Sequence, residues 1–129
     1  MFTQEDVIFS YTRKQALADG SQTLLEGEHA DMAKQAGWKY PVYLTQSVVT
    51  LINIAVDNPK CYNDFKGILW DILFMASLHA KACQGDTFRF KVIITGTGRK
   101  RNHIMVAKIG PTDFDNPEPA ITIMFPEDD

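Results

Sequence analysis

Cysteine is scarce: Cys61 and Cys83 are the only two in 129 residues. They match neither a redox pair nor a disulfide framework, so a disulfide scaffold is excluded and both thiols are expected to stay reduced. Histidine is sparse too, with three in the chain. His29, His79 and His103 fall in different elements, without the spacing that sets two on one helix face, and no metal site is expected from them. No apolar run is long enough to cross a bilayer, which predicts a soluble protein with no membrane partner. The opening residues, Met1 to Asp6, lack a basic stretch followed by an apolar one, and so predict cytosolic residence.

Motifs that carry chemistry are missing as well. Gly96-Thr97-Gly98 is placed to turn a hairpin and does not open a helix, so it is no phosphate cradle. A nucleophile elbow is absent, and Cys83 on an apolar helix reads as inert packing. The acidic stretch Asp113 to Glu118 lacks the central glycine and the distant glutamate of a calcium loop, and reads as a solvated turn. No cofactor is expected. Basic charge is also short: the net charge of -3 disfavours a general nucleic-acid binder and by itself selects no partner.

What is present is one domain's worth of chain, with 45% hydrophobic residues, enough to form a core without metal or disulfides. Its longest apolar segment runs from Phe65 to Cys83 and ends at Gln84-Gly85-Asp86. Length, the absence of proline and the closing glycine predict a helix, and from Ile68 to Met75 only Asp71 is polar, which predicts a helix enclosed by the rest of the domain.

Upstream, Val7 to Tyr11 suits a short strand or extended arm. Thr12 and Gln15 have capping-box spacing, so Arg13 to Ala18 should form a short helix ended by Asp19-Gly20. Thr23-Leu24-Leu25 is a candidate strand. Glu28 to Ala36 should be helical, with Glu28 and Asp31 in its first turn. Trp38 to Tyr43, interrupted by Pro41, reads as an extended connector. Thr45 to Val56 reads as a helix, entered by a Leu44–Val49 staple, although its β-branched residues make a strand the alternative.

After Gly85 the period changes to two. Phe88, Phe90, Val92 and Ile94 alternate with mostly polar neighbours, predicting a strand. A turn over Gly96 to Asn102 leads to a returning strand, Ile104 to Ile109, and a third strand covers Ala120 to Phe125 after a loop at Thr112 to Pro119. The expectation is a single α+β domain, with N-terminal helices and a central buried helix packed on a C-terminal three-stranded antiparallel sheet.

Three groups of residues are candidates for function. Asp71, among apolar neighbours, must be paired, hydrogen-bonded or protonated. Arg13 or Arg89 could pair with it, and a polar site of Asp71, Arg13, Asp19 and Tyr11 would give a small enzyme its acid or base. The second group is the basic hairpin tip Arg99, Lys100 and Arg101, with His103 after it, which could touch phosphate, nucleic acid or an acidic partner, or be a solvated turn whose charges protect the sheet edge. The third is Trp38, Tyr40 and Tyr43, which form either a ledge for a partner or a lid on the core.

Taken in order, Ser10-Tyr11-Thr12-Arg13, Ala16-Leu17-Ala18-Asp19-Gly20, Ala33 to Val42 with Gly37-Trp38 and Tyr40-Pro41, Leu69-Trp70-Asp71-Ile72, and Ile121 to Asp128 resemble a family of small uncharacterised proteins. These are carried on bacterial plasmids, phages and other mobile elements. The resemblance spans nearly the whole chain. It implies a single-domain accessory protein in a bacterial cytosol, favours helix for Thr45 to Val56, and offers no catalytic residue to carry over. The Gln22 to Glu28 and Thr97 to His103 segments depart from the pattern. The expectation that follows is a non-enzymatic protein that binds a host or element-encoded protein, such as an inhibitor of restriction or CRISPR defence. The alternatives are a nucleic-acid-binding maintenance or regulatory protein using Arg99 to Arg101, and a small enzyme centred on Asp71.

Overall fold

A computed structural model describes residues 12–83 and 85–128; the arm expected at Val7 to Tyr11 lies outside them. Helix α1 spans Arg13–Asp19. Its capping box is formed, with the Thr12 hydroxyl accepting from the Gln15 N–H at 3.0 Å and the Gln15 side chain accepting from the Thr12 N–H at 2.9 Å. Gly20, at φ 82°, supplies the left-handed residue that ends it. Strand β1 (Gln22–Leu24), helix α2 (Glu28–Gln35), strand β2 (Val42–Thr45) and helix α3 (Gln46–Asp57) follow. Helix α4 is Phe65–Ala82, its first turn capped by the Asp64 carboxylate, which accepts from the Gly67 N–H at 3.0 Å. Strands β3 (Thr87–Ile93), β4 (Asn102–Asp113) and β5 (Asn116–Met124) complete the domain, with a closing 3-10 turn at Pro126–Asp128.

The sheet has five strands in the order β1-β2-β5-β4-β3, so the expected C-terminal three form only part of it. The connector expected around Pro41 is in fact the approach to β2, which pairs parallel to β5 with Val42 beside Ile121 and Leu44 beside Ile123. Proline is tolerated because it stands just before the strand, where its carbonyl still accepts the Ile121 N–H at 2.8 Å. Leu44 is therefore a fully buried strand residue and not a helix staple. The Thr45 hydroxyl makes no cap hydrogen bond to α3; it donates to Asp128 at 2.9 Å. The loop expected at Thr112 to Pro119 is mostly strand, since β4 and β5 continue their pairing past a bulge to Asp113 opposite Asn116.

Strand register sorts the side chains onto two faces. Phe88, Phe90, Val92, Met105, Ala107, Ile121, Ile123, Val42 and Leu44 share one face and join the buried side of α3 and α4 in a single core. Tyr43, Thr122, Val106, Arg89 and Lys91 take the other. Helix α4 does cover the sheet, through Ile68, Leu69, Ile72, Leu73, Ala76 and Ser77. It is not enclosed, however: Asp71, Phe74 and Leu78 form an exposed stripe, with Phe74 and Leu78 each more than 40% accessible. Among the described residues no second layer covers this side, so the outer stripe of α4 stays in water although the helix is apolar in composition.

Candidate functional site

Asp71 and Arg13, two of the residues of the sequence-predicted polar site, are not brought together. Asp71 lies on the outer stripe of α4, whereas Arg13 works on the opposite face of the sheet. There the Arg13 guanidinium donates through Nε to the Thr112 carbonyl (2.7 Å), through one terminal nitrogen to Gln22 Oε1 (2.9 Å) and through the other to Thr122 Oγ1 (2.8 Å), while its Cζ stands 3.9 Å from the Tyr43 ring centroid. Asp113 completes this clamp by accepting from the backbone N–H groups of Arg13 and Lys14 in the first turn of α1. Some desolvation acts against it, but these backbone bonds, a third from Phe114 and the Arg13 charge hold the Asp113 carboxyl below its ordinary value. Asp19 is exposed and turned to Ser21, whose side-chain and backbone hydrogen bonds lower its carboxyl. Tyr11 lies outside the described residues. A general acid or base built from these four groups is therefore not formed by the described residues among them, because the sheet separates Asp71 from Arg13.

Asp71 instead lines a groove of about 310 Å³ between α4 and β3, with Phe74, Met75 and His79 from the helix and Lys91, Val92 and Ile93 from the strand. Desolvation there raises its carboxyl above the ordinary value. Among the described residues no group of three or more His, Cys, Asp or Glu side chains is disposed to hold a metal ion, and no helix is long and apolar enough to cross a membrane.

The aromatic group divides. Trp38 and Tyr43 are buried, and the Trp38 indole N–H donates to the Leu73 carbonyl at 3.1 Å, so both belong to the core and its covering layer. Of the three only Tyr40 is exposed.

The basic tip is where surface chemistry concentrates. Arg99, Lys100 and Arg101 are all exposed. The root of their hairpin is pinned, since the Asn63 amide donates to Thr95 O at 2.9 Å and Asn58 to Gly96 O at 3.2 Å. Gly96 itself must be glycine: at φ 94° a Cβ would meet the Ala55 carbonyl at 3.2 Å. Behind the tip, Arg89 and Lys91 of β3 extend the same positive surface, together with the exposed aliphatic side chains of Ile93 and Ile104. Sequence reasoning missed Arg89 and Lys91 as part of this patch. The signal was available in the charge order, because no acidic residue occurs between Thr87 and Thr112.

His103, which sequence order places with the tip, is only 7% exposed; its Nε2 lies 3.1 Å from Thr97 Oγ1, so it props the turn from inside. Burial lowers its imidazole below the ordinary value, the Lys100 charge adds to this, and a hydrogen bond with the Lys100 backbone opposes it. The unfolded chain therefore binds this proton at higher pH than the folded one. The stability attached to neutral His103 is complete above about pH 6.5 and is lost as pH falls from there toward the lowered folded value. Urea unfolding between about pH 7 and pH 5 is expected to show this decline, and His103→Gln to flatten it. An unchanged slope in the variant would remove His103 as its cause.

No curated protein and no solved structure matches this chain. A family model does, over residues 1–129, from the capping box through the basic hairpin to the acidic end. The chain belongs to the family of unknown function DUF6573.

Proposed function

We propose that this is a non-enzymatic binding protein that engages an acidic protein partner through the β3–β4 hairpin. One observation carries the reading: the segment from Thr87 to Thr112 holds six of the thirteen lysines and arginines and no acid, a charge of +6, while the remaining seven cations stand against sixteen acids, a charge of -9. A molecule so divided has a modest net charge but a strong local field, which steers and orients a partner of opposite sign. In the mobile-element setting that the sequence resemblance implies, the partner would be a host or element-encoded protein, with restriction or CRISPR components as the class to examine first.

Nucleic acid is the second reading, and two features favour protein over it. The aromatic residues of β3, Phe88 and Phe90, turn into the core, so β3 itself presents Arg89, Lys91 and Ile93 outward and no ring for base stacking. Glu127 also shares a recess of about 400 Å³ with Lys100, placing a like charge in the path of a polyanion. The test is retention of host proteins at graded salt by the wild type and by the Arg99→Ala/Lys100→Ala/Arg101→Ala variant, beside a gel-shift with duplex and single-stranded DNA. The expected result is a salt-sensitive protein partner whose affinity falls about tenfold or more in the variant. Retention of no protein at any salt, or a DNA shift that the variant abolishes, would overturn it.

A further inference from the structure

We infer that the outer edge of β3 receives an extended segment of the partner as a sixth strand, with acidic side chains beside Arg89 and Lys91 and apolar ones in the α4–β3 groove. This rests on the acidic-partner reading above and specifies how such a partner would be held.

The backbone is set for it. At the two ends of the β3–β4 pairing the Ile94 N–H donates to Arg101 O (2.9 Å) and Asp86 O accepts from the Ile109 N–H (2.7 Å). In an antiparallel pair, hydrogen-bonded residues alternate, so the even-numbered residues Phe88, Phe90 and Val92 direct their backbone groups to β4. Arg89, Lys91 and Ile93 direct theirs outward, and β3 is the last strand of the sheet, with no further strand paired to it among the described residues. An unpaired, proline-free edge of this length is a template for strand addition.

Side chains then choose the occupant. Residues of an added strand that lie opposite Arg89 and Lys91 share their face of the sheet, where acidic groups gain from both cations. The alternate residues point to the helix side, into the groove between Phe74, Met75 and Val92. The groove surface is mostly apolar, and its Asp71 and Lys91 charges offset each other, so the preferred pattern is acidic and apolar in strict alternation. A second copy of this chain fits poorly. Every central register that uses the outward-facing backbone groups sets Arg89 or Lys91 opposite Arg89 or Lys91 of the other copy, and like charges directly opposite are destabilising.

The test uses the full chain with a blocked peptide of about eight alternating valine and glutamate residues, a typical strand length. Fluorescence anisotropy measures binding and amide hydrogen exchange locates it. Binding should slow exchange at the Arg89 and Lys91 amides by about tenfold or more while leaving Phe88, Phe90 and Val92 little changed, because the latter are already paired to β4. A valine–lysine peptide should not bind the wild type, and Arg89→Glu/Lys91→Glu should reverse the preference. A peptide N-methylated on the edge facing β3 should fail without any change to the protein.

Several results would overturn the inference. If the peptide binds without protecting Arg89 and Lys91, and the Arg99-to-Arg101 variant abolishes it, the acidic-partner reading survives and the edge assignment fails. The edge assignment fails alone, too, if host protein is retained but the peptide is not bound. Concentration-dependent dimerisation that protects these amides would make a second copy the occupant, and protection by single-stranded DNA would overturn both readings.

Discussion

Leu73→Ala is expected to destabilise the protein by about 2–5 kcal/mol, whereas Phe74→Ala, one position along, should cost no more than about 1 kcal/mol. Leu73 is fully buried at the centre of the core, and its truncation leaves a cavity between α4 and the sheet that the surrounding strands cannot close. Phe74 is on the outer stripe, 42% exposed and stacked on Trp70 with ring centroids 5.9 Å apart, so removing its ring empties little space. The pair therefore measures the rotation of α4 about its axis. Urea unfolding of both variants decides it: a larger loss for Phe74→Ala than for Leu73→Ala would mean that the helix presents its other side to the sheet. The peptide-binding assay should rank them in reverse, because Phe74 lines the groove and Leu73 does not.

Arg13→Ala should cost about 2–4 kcal/mol, a large loss for a side chain near the start of a short helix. The guanidinium unites α1, β1, β5 and the end of β4 through three side-chain hydrogen bonds and the face of Tyr43. Truncation leaves Thr112 O and the Gln22 and Thr122 oxygens without this donor on a half-buried surface, and unmade bonds of this kind dominate such losses. Arg13→Lys should recover less than half, since one ammonium on a flexible stem cannot reach three acceptors arranged around a planar fork. Denaturant unfolding gives the magnitude, and amide exchange in α1 shows whether the helix leaves the sheet. A loss below about 0.5 kcal/mol for the alanine variant would show that the clamp contributes nothing to holding α1.

These two positions also show what could be read from residue order. The Thr12–Gln15 capping box, the glycine stop after Asp19, the helix over Phe65–Ala82 and the alternation of Phe88, Phe90 and Val92 are local patterns, with their causes within a few residues of one another. The basic tip was legible for the same reason. Arg13 stands out in the sequence, but its partners do not: nothing local says that Thr112, some hundred positions away, brings its carbonyl to Nε. Asp71 misleads in the opposite sense. Its apolar neighbours suggest enclosure, yet whether the outer side of α4 is covered depends on how many layers the domain has.

The sequence by itself determined where most helices and strands lie, which side of β3 is apolar, and that positive charge collects in the β3–β4 hairpin, because these properties are set by short-range sterics, periodicity and composition. Only the tertiary structure decided that β1 and β2 join the sheet, that β2 runs parallel to β5, that Arg13 and Asp71 are parted by that sheet, and that β3 is left as its edge. Strand order and parity are properties of pairing between distant segments, and a one-residue change of register would exchange the two faces while leaving every local pattern unchanged.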